Sequence, residues 1–497
     1  MFQLNGDVLY LILKELQNDK KSLFSCLRVN KTWCEIIVPI LWKNPWKFLE
    51  ERKSLCKVVI LHLSDETKNN LKSQGFDFLT NFYHKPLFNY ISFCKILNLY
   101  DLHVMVNTCD HLVTFPKIKR EIFEKEVTSL FINENTRVMH LYIKNRFYNN
   151  RLNIIPGAKY SFSELEFFSS NTNISDNVIT GLPEIFKSIK RLELVIEVNN
   201  NSYEFVKLID NIDKLYHVRL YSKYYSEYYN DSFRKALENS LIKHANTIQY
   251  FKITRPPVTN ILSSFVNLKI LKVKGFSMDL SWDCLETLSL SFLQVLKTDC
   301  IPIEKVSALI ENTGGKLIEV SINGGYHNEN NNKRLIQSIY NKCKKIQYLK
   351  ILIRNENISE LEKLLIDCQY LDGLNIIVYN DETIFDWNYF FKVLYESSPT
   401  NLFKFKFSFV NTFELGSLKL FLNNWNGRHP LLFQTIQYSS WGSNNVFKRS
   451  YFDVIKRYIT QGIVSLYSHA PVEKCDFKDF DWIKADKKAL KSWEYNF

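Results

Sequence analysis

The sequence predicts an α/β chain: a small all-helical module at the N-terminus, a helical linker, then a long run of short strands alternating with helices. Three observations predict it. Between Asn5 and Leu41 apolar residues recur with a period near 3.6, and each run opens on Asn or Asp. From about Val127 a six-residue skeleton, L-x-x-L-x-L or a close variant, returns again and again ahead of polar, Asn-rich turns. Helical patterns fill the gaps, and no glycine-rich phosphate loop follows any strand.

In the first stretch Val8, Leu9, Ile12, Leu13 and Leu16 form one stripe behind Asn5 as N-cap, with Asp7 in the first turn. Asn18 and Asp19 stop that helix and cap the next, whose apolar face is Leu23, Phe24 and Leu27. Asn30 caps a third helix lined by Trp33, Ile36, Ile37, Ile40 and Leu41, which Pro39 must kink or split because proline has no amide donor. Three short helices in roughly forty residues cannot bury so much apolar surface by themselves, so a partner is expected.

The order of these residues resembles the F-box, and the likeness covers about a tenth of the chain. It rests on Leu4, Asp7, Val8, Leu9, Ile12, Leu16, Leu23, Leu27, Val29, Trp33 and the closing Leu41-Trp42. The sequence departs from the family at Asn5, where proline is usual, and at Asn30 and Lys31, where a Cys-Arg pair is common. The phrase LWKNPW that follows is similar to that of F-box proteins with leucine-rich tails. The resemblance implies docking onto a Skp-type adaptor of a cullin ubiquitin ligase. It makes Leu4, Val8, Leu9, Ile12, Leu16, Leu23, Leu27, Val29, Trp33, Leu41 and Trp42 the adaptor-binding set or its supports, and residues 47–126 a rigid linker to a target-binding domain.

The linker reads as helical: Phe48, Leu49, Leu55 and Val59 continue a helix, Glu66–Ser73 is polar helix, Leu87–Leu97 carries an apolar face, and Gly75, Pro86 and Pro116 mark turns. The repeat skeleton then falls at Val138–Ile143, Leu192–Ile196, Ile248–Ile253, Leu268–Val273, Leu285–Leu290, Leu317–Ile322, Ile346–Ile351, Leu371–Ile376 and Leu402–Phe407. From Ile248 onward its spacing, roughly 17 to 32 residues, centres on that of leucine-rich repeats, and the two earlier gaps are about twice as long. Helices are expected at Tyr203–Leu215, Asp231–His244, Ile303–Glu311, Lys333–Lys342 and Ile358–Leu365, with loops at Tyr221–Asp231, Gly324–Lys333 and the N-E-N-N-N run from Asn328. Strand and helix repeating in this way stack into a curved leucine-rich solenoid with a parallel sheet on its inner face. A loop at Trp441–Asn445, a helix at Tyr451–Leu466 and the tail with Trp482 and Trp493 would cap it. The expected domains are 1–46, 47–126, 127–440 and 441–497.

Composition bounds the function. A 497-residue chain with 46% hydrophobic and 23% charged residues is expected to be ordered. The net charge of +12 admits a polyanionic partner, but the lysines are scattered and do not form the basic, aromatic-interleaved clusters of a nucleic-acid face. Lys342, Lys344 and Lys345 read as a solvated helix end. Ten cysteines without a C-x-x-C pair or secretory segment read as reduced thiols in a soluble protein of the cytoplasm, the nucleus or both, with no apolar run of bilayer length.

No catalytic signature stands out. His103, Cys109 and His111 match no metal-finger spacing, Asp381, Glu382 and Asp386 lack a base or nucleophile partner in the pattern, and Cys26 and Cys34 read as small apolar residues. We therefore expect no catalysis, metal or cofactor. The expected function is a substrate-recognition subunit that leads a target protein to ubiquitination and proteasomal degradation, with strand residues such as Tyr142, Tyr250 and Tyr348 fitting the role of anchor or of core side chain equally. The alternative is an interaction scaffold of leucine-rich repeats with no ubiquitin role.

Overall fold

Polar caps set the first three helices in the computed structural model. It describes residues 5–17, 19–47, 52–82, 84–109, 112, 114–144, 151–222, 229–275, 280–324, 328–378, 385–410, 412–438 and 449–470. Helix α1 (Gly6–Glu15) starts at Asn5, whose side chain accepts the Asp7 N–H. Helix α2 (Lys20–Cys26) starts at Asp19, which accepts the Ser22 N–H at 3.1 Å, and α3 (Lys31–Trp42) at Asn30, which accepts the Trp33 N–H at 3.0 Å. Of the kink or split expected at Pro39, the split does not occur: α3 runs through it as one helix. Proline deprives only the Glu35 carbonyl of its donor, and Glu35 is exposed to water.

The chain divides into two units, Met1–His244 and Ala245–Phe497. In the first, α4 (Arg52–Leu61) and α5 (Asp65–Ser73) follow the helical module. The linker over 47–126, read as mainly helical, also holds one strand, β1 (Ile96–Asn98), at the end of the apolar stretch Leu87–Leu97. Three residues are too few to show a period of two, and the Asn98 side chain at once caps α6 (Leu99–Thr108) by accepting the Tyr100 and Asp101 N–H groups. Then come α7 (Lys117–Phe131), β2 (His140–Ile143), α8 (Ala158–Ser161), β3 (Phe167–Asn171), α9 (Asp176–Ile179), α10 (Leu182–Ile185), β4 (Arg191–Ile196), α11 (Glu204–Asp210), β5 (His217–Ser222) and α12 (Asp231–Ile242). Strands β1 to β5 pair in parallel and in chain order.

A single hydrogen-bond device repeats at the head of these strands. One carbonyl accepts two successive amides of the next repeat: Lys43 from Lys95 and Ile96, Lys95 from Met139 and His140, Met139 from Glu166 and Phe167, and Glu166 from Lys190 and Arg191. Its first acceptor, Lys43, is the C-cap of α3. The helical module is thereby hydrogen-bonded into the series of repeats, and Trp46 strengthens the join by burying its ring against Phe131 and donating Nε1–H to the Ile96 carbonyl at 2.7 Å.

The second unit repeats the theme: β6 (Tyr250–Ile253), α13 (Ile261–Ser264), β7 (Ile270–Lys274), β8 (Val295–Asp299), α14 (Ile303–Glu311), β9 (Glu319–Asn323), α15 (Glu329–Lys342) and β10 (Tyr348–Ile353). It continues with α16 (Ile358–Asp367), β11 (Gly373–Val378), α17 (Trp387–Ser397), β12 (Lys404–Phe409), α18 (Leu415–Asn424), β13 (Leu431–Gln437), α19 (Arg449–Thr460) and β14 (Val464–Ala470). These nine strands are also parallel and in chain order. Each unit resembles a leucine-rich-repeat stack. In β12 the period of two sets Phe405, Phe407 and Phe409 on the core face and Lys404, Lys406 and Ser408 on the opposite one, where Lys406 and Ser408 are buried as well. Phe391, Phe421 and Trp425 pack on that inner row, with Phe391 stacked on Phe421 at 5.0 Å.

Three expectations here are corrected. Leu285–Leu290 is a turn, and the strand of that repeat lies at Val295–Asp299; the leucines are buried all the same, so the skeleton records burial without marking the strand. The run from Asn328 is no loop, because Asn328 caps α15 and Asn332 sits fully buried, donating to Asn357 Oδ1 at 3.0 Å. The helix expected over Tyr451–Leu466 stops at Thr460: Gly462 takes φ +75°, a left-handed turn glycine accepts without strain, and Val464 opens a strand. Residues 449–470 of the expected cap thus add one more helix and strand. Trp441–Asn445, Trp482 and Trp493 lie outside the described residues.

Candidate functional site

Helix α1 carries two apolar stripes. Leu9 and Leu13 turn inward to join Leu23 and Ile37 in a closed core, against which Leu16, Cys26, Leu27, Trp33, Ile36, Ile40 and Leu41 pack. Val8, Leu11 and Ile12 turn outward, 44%, 60% and 48% exposed, and Phe24 of α2 and Val29 before α3 are exposed too. The structure thus sorts the expected adaptor set. Leu9 and Leu23 are core; Leu16, Leu27, Trp33 and Leu41 are half-buried support; Val8, Ile12 and Val29 are surface; Leu4 lies outside the described residues. The outer stripe could have been found from the i, i+3, i+4 spacing of Val8, Leu11 and Ile12, but Leu11 was missed because it falls off the inner one. The Trp42 ring lies tilted against that of Tyr90 at 4.8 Å, and with Phe24, Leu27, Leu41 and Val58 it lines an apolar cavity of about 320 Å³.

The second surface of the first unit is the outward face of β2 to β5. Parallel register aligns His140, Phe167, Arg191 and His217 in one row and Tyr142, Ser169, Glu193 and Arg219 in the next. Arg191 reaches His140 Nε2 at 2.9 Å and lies over the Phe167 ring. Glu193 is buried, which by itself would raise its pKa; the Lys144 ammonium at 3.1 Å, the Ser169 hydroxyl at 2.9 Å and Arg219 at 3.3 Å overrule burial and hold the carboxyl below its usual value. Burial, then Arg191, keeps both His140 and His217 below the usual imidazole value.

In the second unit the outward row is a polar ladder: Lys252, Lys272, Lys297, Ser321, Lys350, Asn375, Lys406 and Gln434 stand side by side on β6 to β13. Lys297 pairs with Glu319 at 2.7 Å, while Lys350 and Lys406 are buried. Of the expected tyrosine anchors, Tyr142 and Tyr348 are half-buried and Tyr250 is buried; the Tyr348 hydroxyl donates to Asp372 at 2.9 Å.

The chemical candidates have structural work. His103 uses Nδ1 on Glu124 at 2.8 Å and Nε2 on Asn107, and Cys109 is buried; His111, Asp381 and Glu382 lie outside the described residues. Asp386 caps α17 by accepting the Tyr389 N–H at 2.9 Å. Cys26 packs on the module core and Cys34 donates to the Leu27 carbonyl. Burial pushes the thiols of Cys94, Cys343 and Cys368 up to about 12, which leaves no thiolate nucleophile there at neutral pH. Among the described residues no group of three metal-ligating side chains gathers, and no helix is long and apolar enough to cross a membrane.

The two surfaces and the repeats define a class: an α/β repeat chain with an N-terminal helical module hydrogen-bonded to its first strand. No family model matches the sequence. Among solved structures the chain is similar to one described as the Toll–Spatzle complex, a molecular hub in Drosophila development and innate immunity, at 11% identity and a TM-score of 0.26. The alignment covers 64% of this chain and 52% of that one, so the chain spans about half the length of the structure it matches. A likeness this slight says nothing of function.

Proposed function

We propose that the chain is the substrate-recognition subunit of a Skp–cullin–F-box type ubiquitin ligase, with no chemistry of its own. The observation that carries this reading is the outward stripe of Val8, Leu11 and Ile12, left on the surface of a module whose own core is already closed by Leu9, Leu13, Leu23 and Ile37. A free-standing cap would gain nothing from such a stripe, whereas a docking helix needs it. Phe24 and Val29 extend the apolar surface, and the cavity beside Trp42 can accept an apolar side chain of the adaptor.

The mechanism is proximity. The adaptor holds α1 to α3, a target protein lies on the sheet face, and the Lys43 and Trp46 bonds keep the module fixed to β1. Target lysines are then held at high effective concentration before a ubiquitin-charged enzyme recruited elsewhere in the complex. The test is co-purification of the chain with a Skp-type adaptor beside a Val8→Asp/Ile12→Asp variant, which alters surface positions and spares the core. Capture by the parent chain and its loss in the variant, at unchanged circular dichroism, is the expected outcome. A parent chain that captures no adaptor returns the protein to the scaffold reading.

A further inference from the structure

The outward face of β2 to β5 has a charge pattern that adaptor docking does not use. Lys144 and Arg219 stand there against the carboxylate of Glu193, and in the neighbouring row Arg191 stands with two imidazoles, His140 and His217. That carboxylate is held by Lys144, Arg219 and Ser169, and among the described residues of these two rows and Lys144 three cations stand against this one carboxylate. Beneath the cations lie rings: Phe167 meets His140 at 5.5 Å and Tyr142 at 5.2 Å, and Arg191 sits 5.6 Å above the Phe167 centroid. Flat guanidinium groups over aromatic rings are pre-ordered to meet a carboxylate in the forked geometry that lysine cannot offer.

We propose that this face binds an extended acidic segment of the target polypeptide, its carboxylates taken by Arg191 and Arg219 and its backbone lying across Phe167 and Tyr142. The inference rests on the substrate-receptor reading and supplies the chemistry of the substrate. Side chains on alternate residues of an extended peptide recur about every 6.6 Å along one side, which suits two rows two residues apart on the same strands. Glu193 fits this role as the group that keeps Arg219 and Lys144 upright between encounters.

The histidines tune the affinity. Burial disfavours protonation of both rings, and to this the arginines add their own opposition, His140 facing Arg191, Lys43 and Glu166 and His217 facing Arg191 and Arg219. An acidic ligand that neutralises those arginines lifts that opposition, and binding takes up protons. Affinity therefore rises as pH falls from about 7.5 to about 6, where the ligand's carboxylates are still ionised.

The experiment measures fluorescence anisotropy of a labelled peptide of alternating Glu and Ala against the full chain, with a Lys–Ala peptide and a single-stranded oligonucleotide of equal charge alongside. Expected are binding of the Glu peptide alone, tightening at the lower pH, and about tenfold weakening in Arg191→Glu/Arg219→Glu. If that variant misfolds, Arg219→Gln at its half-exposed position is expected to weaken binding about threefold. Glu-peptide binding that is absent, or that the variants leave unchanged, overturns the inference, and tighter binding of the oligonucleotide replaces it with a nucleic-acid face. Adaptor capture is measured on the same preparations. Peptide failure with capture intact removes only this inference, and capture failure with peptide binding intact removes only the ligase reading.

Discussion

Leu9 and Ile12 stand three residues apart on one helix and do opposite things. Leu9 is in the closed core, so Leu9→Ala leaves a cavity and costs about 2–4 kcal/mol, read as a loss of hydrogen-exchange protection in α1 to α3. Ile12→Ala removes surface, and its stability cost stays within about 0.5 kcal/mol while adaptor capture weakens. Equal losses of protection in the two variants would contradict this division. The sequence names both residues in the same stripe, because a period of 3.6 blurs positions that differ by one turn of the wheel; only the packing of α3 against one side separates them. Glu193 is legible to no pattern at all. It reads as one polar residue between two leucines, yet Glu193→Ala strands two cations and the buried Ser169 hydroxyl, and a loss of about 1–3 kcal/mol is expected once solvent screening of Lys144 and Arg219 is allowed for. Chemical denaturation measures it.

Among the elements, the join between module and first strand decides whether the proposed adaptor would stand at a fixed distance from β1. Trp46→Phe keeps the bulk but removes the donor to Ile96, at a cost of about 1–2 kcal/mol, and should raise exchange of the Ile96 and Leu97 amides without touching α12. A variant whose β1 amides stay as protected as before would show the Lys43 carbonyl alone to be sufficient. Helix α15 carries a similar tie between repeats. Asn332→Ala leaves the Asn357 side chain buried without its donor, and melting should show about 1–3 kcal/mol of destabilisation. Asn332 hides inside a polar run which the sequence reads as loop, since asparagines cap and disrupt helices more often than they fill their interiors.

At the scale of the whole molecule, stability should depend on pH in a stated window. Burial, with Arg191 added for His140 and His217, holds the imidazoles of His140, His217 and His469 below the 6.5 of an unperturbed histidine. As pH falls the unfolded chain binds protons first, so stability is complete above about 6.5 and declines from there toward the lowered folded values. The carboxylates held down by their partners, Glu166, Glu193, Glu311 and Glu360, add a loss that begins only below about 4.5, so the two effects separate. A melting temperature that is flat between pH 7.5 and 5.5 would refute the histidine contribution. By itself the sequence determined the class: capping residues and a period of 3.6 mark the opening helices, and a repeating apolar skeleton marks a strand–helix chain, because both follow from local backbone geometry. It did not determine where β1 begins, which leucine skeleton is a turn, or which charges share a face. Those depend on register between strands dozens of residues apart, and only the tertiary structure, which aligns His140 with Arg191 and buries Leu9 while leaving Ile12 in water, decided them.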